Sequence, residues 1–400
     1  MKYSELIELY KNGELCDDLK KKIEKDIERQ DAISEYLFDR EDAEVLENIP
    51  NGNPAYSEEN DVDSSENFTK MIKSAIRKSF IKAGVIVGVV VLIVVCLIVY
   101  AFPKYIDTLY YNPSEIVAKD ENGNETNRIS LDLATYSELF LPENYRSAVD
   151  VVSNGNANYD IIIRQNLTYN GTFTNVGGKI DKGKMVLYNP NILDRPYINS
   201  FLPNEKMVET GYKQSQKTAP KDVLKSLDDE ELYTSYCTLK KVMNYKDFQK
   251  WESGLSSGAV WCALCEKATE LDAIEAKYKA DSVIGFGYNS SCSSLGFDEE
   301  KYPLLTQFSL VETTDKNQDE KISEKNMKQH IVSMLNYMSD QEDFCKLVNF
   351  EDCSTLKDLA KSIEKDGIYI YGFVSVGTKE DISRLVDTGM IENINVSKTK

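Results

Sequence analysis

The sequence contains very little histidine. His330 is the only one among 400 residues, and no GxSxG, HExxH, GxGxxG or P-loop motif occurs in the chain. A single histidine cannot complete a catalytic triad without a nearby nucleophile and acid, and a helical pattern around His330 predicts a surface position for it. The sequence therefore indicates no enzyme and no cofactor, and only carboxylate pairs brought together by the fold would change that conclusion.

Basic residues are also in deficit. The chain has 47 Lys and Arg against 66 Asp and Glu, a formal net charge of -19 and an isoelectric point near 4.7. A phosphate backbone repels so acidic a chain, and the one short basic stretch adjoins an apolar segment. We therefore expect no direct binding of nucleic acid.

One long apolar run stands out from a polar average. Residues 83–102 contain no charged side chain and are mostly Val, Ile and Leu, although the mean hydropathy of the chain is -0.41. As a helix this run is about 30 Å long, which matches the hydrocarbon core of a bilayer. It is too long for the apolar part of a secretory signal and begins too far along the chain. The run therefore predicts a single transmembrane helix.

Basic residues flank only the first side of this segment. The stretch 67–82 contains Lys and Arg but no acid, whereas only Lys104 follows the segment closely. The positive-inside rule therefore places the N-terminus in the cytoplasm and the C-terminus outside. Apolar side chains in the basic stretch recur every fourth residue, which predicts an amphipathic helix on anionic lipid. These side chains are Phe68, Ile72, Ile76 and Phe80. Gly84 and Gly88 form a GxxxG pair, which leaves helix pairing open.

The first fifty residues carry three short amphipathic helix patterns, at 2–12, 15–27 and 31–48, with Gly13 ending the first. A unit of this size buries too little apolar surface to be stable alone, and Cys16 as its only soft ligand argues against a metal. We expect a protein partner to cover the apolar stripes. Their residues are Leu6, Ile7, Tyr10, Leu15, Leu19, Ile23, Ile27, Ile33, Tyr36 and Leu37.

Two stretches of this region resemble a known family. Tyr10-Lys-Asn-Gly-Glu-Leu15 and Asp31-Ala-Ile-Ser-Glu-Tyr-Leu37 resemble the N-terminal domain of anti-sigma factors that restrain extracytoplasmic-function sigma factors. The zinc ligands of one branch of that family align with Asp26, Gln30 and Ile33, none of which is a ligand of the required type. The resemblance is therefore to a member without zinc, and the alternative interpretation is a generic helical hairpin. The resemblance implies that the apolar stripes insert between the two domains of a sigma factor and cover the surfaces that bind core polymerase and promoter DNA.

The other two parts of the sequence are an acidic linker and a larger region with both strand and helix patterns. Residues 50–66 are acidic with almost no bulky apolar content, which predicts a flexible linker. Residues 103–400 alternate strand and helix patterns, which is typical of an α+β region, and a subdivision near 215–230 is left open. The predicted strands are 160–164, 185–188, 233–239, 259–265, 308–311, 368–376 and 394–396. The predicted helices are 220–228, 245–255, 267–279, 322–339, 354–365 and 378–387.

Three stretches of the outer region resemble the sensor or regulator C-terminal domain that accompanies this inner domain. They are Asn175-Val-Gly-Gly-Lys179, Ala259-Val-Trp-Cys262 and Gly372-Phe-Val-Ser-Val-Gly-Thr-Lys379. The order of the two domains around one membrane span carries more weight than any single stretch. The sequence leaves the sensed signal open, and a wall polymer or a small-molecule ligand outside would both fit.

The outer region also holds six cysteines, Cys237, Cys262, Cys265, Cys292, Cys345 and Cys353, which leaves many disulfide pairings open. Cys262 and Cys265 have the spacing of a thioredoxin-type redox pair but lie at the end of a strand-like run, so they are predicted to be buried small hydrophobes. Asp315, Asn317 and Asp319 resemble the opening of a calcium loop. The glycine and the bidentate glutamate of that loop are missing, so these residues predict a polar turn.

Together the patterns predict a multi-part chain with a small all-α cytoplasmic domain at 1–49, the linker 50–66, a basic juxtamembrane helix at 67–82, the transmembrane helix 83–102 and an α+β extracytoplasmic region. The resemblance implies a membrane-bound anti-sigma factor that holds an extracytoplasmic-function sigma factor and releases it on an outside signal. Its expected partners are that sigma factor and the lipid bilayer. The alternative is a membrane-anchored extracellular binding module without a transcriptional role.

Overall fold

The computed structural model divides the chain into two compact units, Met1–Val87 and Gly88–Lys400. The residues that the structure describes are 10, 12–13, 19–21, 23–29, 61–119, 123–142, 144–167, 173–189, 193, 201, 207–210, 219–267, 276–279, 283–288, 294–313, 322–350 and 353–399. Among the described residues of the first unit, 10, 19–21, 23–29 and 61–87 are helical.

One long helix contains the apolar segment. Helix α1 spans Asp61–Cys96, continues through a single π-helical turn at Leu97–Ala101, and is followed by α2 at Phe102–Leu109. The stretch Lys73–Leu109 is long and apolar enough to span a membrane, and none of its most apolar part is buried. A core helix would bury this surface, so an apolar helix of membrane-spanning length is confirmed around the predicted segment 83–102.

A ribbon and a helix follow. Strands β1 (Ile116–Lys119) and β2 (Glu125–Asn127) pair antiparallel and lead into α3 (Arg128–Phe140). The side-chain oxygen of Asn127 accepts a hydrogen bond from the backbone N–H of Ser130 at 3.0 Å, which caps the start of α3. From residue 116 onward the described chain is rich in β-structure.

The first main sheet is an antiparallel meander of four strands. They are β3 (Asn144–Gly155), β4 (Asn158–Leu167), β5 (Phe173–Asp181) and β6 (Lys184–Leu187). Two-residue turns join β3 to β4 at Asn156–Ala157 and β5 to β6 at Lys182–Gly183. All four turn residues have positive φ, which is the hairpin geometry that matches the twist of the strands. On β4, buried Ile161 and Ile163 alternate with exposed side chains, so one face of this sheet packs on the core.

The remaining strands, in chain order, are β7 (Met207–Thr210), β8 (Tyr233–Asn244), β9 (Ala259–Leu264), β10 (Glu266–Lys267), β11 (Ala276–Lys279), β12 (Gly285–Gly287), β13 (Tyr369–Gly377) and β14 (Ile391–Lys398). Five of them form the second main sheet in the order β12-β9-β13-β8-β14, with every pair antiparallel. A small sheet has the order β10-β11-β7. Residues 233–239 are buried at each position, as expected of a strand covered on both faces.

The remaining helices are α4 (Pro220–Leu224), α5 (Tyr245–Glu252), α6 (Gln307–Thr313), α7 (Glu324–Asp340), α8 (Glu342–Leu347), α9 (Ser354–Asp366) and α10 (Lys379–Asp387). Helix α3 contacts both β3 and β12, so it links the two main sheets. Helix α9 packs along α7, and α5 and α10 pack against β13. At Gly372 on β13 a Cβ atom would lie 2.7 Å from the carbonyl oxygen of Cys237 and 2.9 Å from the ring of Phe201, so the close packing there requires glycine.

Most of the strands predicted in the outer region are confirmed. The predictions at 233–239, 259–265, 368–376 and 394–396 fall within or largely overlap β8, β9, β13 and β14, and 160–164 and 185–188 overlap β4 and β6. The predicted strand 308–311 is wrong because those residues lie in α6. The predicted helix 267–279 is wrong at 276–279, which form β11. The sequence patterns missed the strands β1, β2, β3, β5, β7, β10 and β12 and the helices α2, α3 and α8.

Candidate functional site

The predicted partner-binding stripe is described at four positions, Tyr10, Leu19, Ile23 and Ile27. The other six, Leu6, Ile7, Leu15, Ile33, Tyr36 and Leu37, lie outside the described residues. The side chain of Ile23 is 3% exposed, whereas Leu19 one turn earlier is 39% exposed. On this stripe, Ile23 is therefore part of the packing of the chain, while Leu19 is open to a partner.

A polar contact joins the two described helical segments. The hydroxyl of Tyr10 donates a hydrogen bond to Oε1 of Glu24 at 3.3 Å. Gly13 adopts a φ of +76° and donates its N–H to the carbonyl oxygen of Tyr10 at 3.2 Å, so it ends the first segment as predicted. The first of these contacts connects Tyr10 to the helical residues 23–29.

The apolar helix presents an open surface on all sides. Ile76 and Phe80 of the basic stretch are exposed, while the side chains of Phe68 and Ile72 lie outside the described residues. A Cβ atom added at Gly84 or Gly88 would meet nothing within 4 Å. The helix-pairing role of this GxxxG pair stays a prediction.

His330 is not on the surface, so the predicted position is wrong. Its side chain on α7 is 0% exposed, and Nδ1 lies 2.6 Å from the carbonyl oxygen of Leu304. Nε2 lies 2.8 Å from Oε1 of Glu138 on α3. Burial alone would lower the pKa of His330, but the Glu138 carboxylate and the two hydrogen bonds outweigh it and raise the pKa above its ordinary value. Since both ring nitrogens face acceptors, the doubly protonated ring satisfies the site.

A second buried ionisable group lies on the same pair of helices. Asp132 of α3 is fully buried and accepts hydrogen bonds from the hydroxyls of Tyr111 at 2.7 Å and Tyr337 at 2.6 Å. Arg128 lies over the ring of Tyr111, and its Nε is 3.8 Å from Oδ2 of Asp132. Burial raises the pKa of Asp132 to about 6, although the two tyrosine hydrogen bonds and Arg128 oppose the rise.

These two clusters connect α3 to α7. Asp132 meets Tyr337 near one end of the helix pair, and Glu138 meets His330 further along, so the helices run antiparallel. Trp261 of β9 adds a third element because its Nε1 donates to the carbonyl oxygen of Glu138 at 2.7 Å. The arrangement couples the protonation of buried groups to the packing of α3 against α7 and the second sheet.

The cysteines divide into two groups. Cys345 and Cys353 form a disulfide that joins the end of α8 to the start of α9. Cys237, Cys262 and Cys265 are buried, and burial raises the pKa of both Cys237 and Cys262. A redox-active cysteine needs a lowered pKa and access, so the described thiols act as small hydrophobes, as predicted. Cys292 lies outside the described residues.

The described residues contain no group of three His, Cys, Asp or Glu side chains that could hold a metal ion. The calcium-like stretch with Asp315, Asn317 and Asp319 lies outside them. Of the predicted partner-binding stripe the structure thus describes an exposed Leu19 beside a buried Ile23, and the buried pairs of α3 and α7 are features that the sequence did not predict.

Comparison with known proteins gave one positive result. No curated protein and no solved structure matches the chain. Residues 224–398 match the family model of the sigma factor regulator C-terminal domain, a family of regulators rather than enzymes. The match covers the whole five-stranded sheet, His330 and the disulfide. Residues 224–398 are therefore similar to the C-terminal domain of sigma factor regulators, and one helix of membrane-spanning length precedes them.

Proposed function

We propose that the protein is a single-pass membrane anti-sigma factor. Residues 1–49 would hold an extracytoplasmic-function sigma factor in the cytoplasm, residues 83–102 would span the membrane, and the region from 103 onward would monitor the exterior. The observation that carries the proposal is the match of 224–398 to the sigma factor regulator C-terminal domain, together with one apolar helix ahead of it.

The proposed orientation has two independent supports. Lys and Arg precede the apolar helix at 67–82, as the positive-inside rule requires of a cytoplasmic flank. The disulfide between Cys345 and Cys353 belongs to an oxidising compartment, which is the cell exterior rather than the cytoplasm. Both arguments assign the N-terminus to the inside and the C-terminus to the outside.

The proposed mechanism is occlusion. An apolar stripe laid into a groove of the sigma factor would cover surfaces that the sigma factor needs for core polymerase and promoter DNA. Leu19 is available for such a contact because it is 39% exposed, and burying the surface that remains is worth about 1 kcal/mol. Ile23 is already buried, so it shapes the stripe rather than contributing new contact area.

The test is retention of a sigma factor by the full chain in a lipid nanodisc. Purified extracytoplasmic-function sigma factors of the host are passed over the immobilised protein, and the dissociation constant of any retained factor is measured by titration. We expect one factor to bind and to lose transcription activity with core polymerase when bound. If no such factor is retained, the proposal fails.

A matched pair of variants tests the stripe itself. Leu19→Gln removes an apolar contact, whereas Lys20→Gln changes the neighbouring exposed residue to the same side chain. We expect Leu19→Gln to weaken binding about fivefold and Lys20→Gln to leave it nearly unchanged. Equal effects of the two variants would contradict the assignment of the stripe at Leu19.

A further inference from the structure

Two turns of the first main sheet meet the end of the apolar helix. The turns Asn156–Ala157 and Lys182–Gly183 lie side by side, since the N–H of Lys182 donates to the carbonyl oxygen of Ala157 at 2.9 Å. Oδ1 of Asp107 on α2 accepts a hydrogen bond from the N–H of Ala157 at 2.5 Å. The ring of Tyr110 is 3.6 Å from where a Cβ of Gly183 would lie. The turn end of the sheet is thus attached to the helix end.

The helix end carries exposed aromatic side chains. Tyr105 is 60% exposed and Tyr110 is 40% exposed, and Phe102 and Leu109 are also exposed. We call these four side chains the aromatic collar. On a water-exposed surface they would favour aggregation, but aromatic side chains are normal at the membrane–water interface, where their rings lie at the level of the headgroups. The side chains of this collar therefore indicate the depth at which the helix leaves the bilayer.

The rise per residue of the helix gives the distance of Asp107 from the end of the predicted span. Asp107 lies five residues after Phe102, the last residue of the predicted span, which is about 7.5 Å along the helix axis. The headgroup layer on each side of a bilayer is about 5–8 Å thick. The turns bonded to Asp107 and packed near Tyr110 therefore lie at the outer edge of the headgroups, and any tilt of the helix brings them closer.

We propose that this end of the sheet is a lipid-contacting surface. It consists of Tyr105, Tyr110, the turn Asn156–Ala157 and the turn Lys182–Gly183, and it rests on the headgroups of the outer leaflet. The proposal depends on the membrane span proposed above. The exposed lysines at and beside the second turn, Lys182 and Lys184, suit phosphate oxygens, while Asp181 beside them keeps the attraction modest. The surface fixes the angle between the sheet and the bilayer.

The strand β5 offers a matched pair of positions for the test. Asp181 and Asn175 are both exposed and lie on the same face of the strand, with Asp181 next to the lipid-contacting surface. Six residues of strand separate them by about 20 Å. Asp181→Cys and Asn175→Cys are each made in a full chain in which Cys16, Cys96 and Cys292 are replaced by serine. Each variant carries a fluorophore and is inserted into nanodiscs containing lipids with a quencher on the headgroup.

We expect quenching several-fold stronger for the label at position 181 than for the label at position 175, in both zwitterionic and anionic nanodiscs. Equal quenching at the two positions, or none at 181, would overturn the lipid contact. A reference chain that retains Cys96 carries its label in the span and is read with lipids quenched in the acyl chain. If Cys96 is quenched and position 181 is not, the lipid-contacting surface alone fails. If Cys96 is not quenched, the membrane span fails and the surface with it.

Discussion

Burial raises the pKa of Asp132, whereas burial by itself would lower the pKa of His330. For Asp132 the loss of hydration dominates and favours the neutral acid, even though Tyr111 and Tyr337 donate to the carboxylate. For His330 the same loss is outweighed by the Glu138 carboxylate, so the charged ring is favoured. Both groups therefore bind a proton more tightly in the folded chain than in the unfolded chain, and both contribute stability that declines as the pH rises.

Asp132 gives a pH prediction with a defined window. Its pKa rises from 3.8 to about 6 on folding, so its contribution is fully present below pH 3.8 and is lost as the pH rises through 6. A shift of about two pKa units corresponds to about 3 kcal/mol. We expect the unfolding free energy of Asp132→Asn, relative to the unsubstituted chain, to rise by about this amount between pH 4 and pH 7. Urea unfolding followed by tryptophan fluorescence measures it, and a difference that does not vary with pH would contradict the burial argument.

His330 gives a prediction at higher pH. Because its folded pKa lies above 6.5, the stability from its charged pair is present below pH 6.5 and is lost as the pH rises through the folded value. We expect His330→Gln to lower the unfolding free energy by about 3 kcal/mol at pH 6, the usual cost of breaking a buried pair, and by less at pH 9. Glu138→Gln is the control: it removes the other partner of the pair and should abolish the same pH dependence of the unfolding free energy. Parallel pH curves for His330→Gln and the unsubstituted chain would rule the pair out.

The buried position of His330 was present in the sequence, although the residue was misjudged. Met327, Ile331, Met334 and Met338 form the buried stripe of α7 at helical spacing, and His330 lies on that stripe. Treating histidine as a polar residue removed it from the apolar pattern. Its partner Glu138 could not be predicted, because the contact joins residues far apart in sequence and α3 itself was missed.

At the scale of the elements, short apolar runs left the choice between strand and helix open. The long runs that became β8 and β13 have enough apolar residues to fix their type, whereas 308–311 has only four residues, one of them the polar Ser309, and fits a strand or a helix equally. Local hydrogen bonds favour the helix there, since Thr306 accepts from the N–H of Ser309 at 3.3 Å. Helix α3 was missed although Ile129, Leu133 and Phe140 recur on one face.

The disulfide is predicted to stabilise the junction of α8 and α9. It closes a loop between residues 345 and 353, a sequence separation of 8, and loop-closure entropy for that length is about 2–3 kcal/mol. We expect Cys345→Ser with Cys353→Ser to lower the unfolding free energy by that amount. The unsubstituted chain measured with a reducing agent should match the double variant. If the reducing agent has no effect and the variant is as stable as the unsubstituted chain, the disulfide does not form in solution.

Asp107 is predicted to hold the first sheet to the helix end. Its carboxylate accepts the hydrogen bond of the Ala157 N–H, and an unsatisfied backbone group of this kind costs about 1–3 kcal/mol when it is shielded from water. We expect Asp107→Ala to speed amide hydrogen exchange at Ala157 by roughly tenfold or more. Asp107→Asn retains an oxygen acceptor and should exchange nearly as slowly as the unsubstituted chain. Equal exchange in all three chains would show that the bond does not hold the turn.

At the scale of the whole molecule, composition and charge located the main division of the chain. The apolar run at 83–102 and the basic stretch before it needed no tertiary information, because membrane insertion depends on local hydrophobicity and flanking charge. The five-stranded sheet is different. Its order of β12-β9-β13-β8-β14 brings distant segments together, and no periodicity in a single sequence specifies such pairings. The sequence also left open the disulfide pairing, which the fold settles only by placing α8 beside α9.

Topology is the prediction on which the proposed function depends, and the structure determines how to measure it. The described outer cysteines make poor reporters, since Cys237, Cys262 and Cys265 are buried and the other two form the disulfide. We therefore place single thiols at exposed lysines on helices, with Lys361→Cys in α9 and Lys20→Cys near the N-terminus, after replacing Cys16 and Cys292 by serine. A maleimide that cannot cross membranes should label position 361 in intact cells and position 20 only after permeabilisation. The reverse pattern would place the proposed sensor region inside the cell, where no disulfide would persist and no exterior signal could reach it.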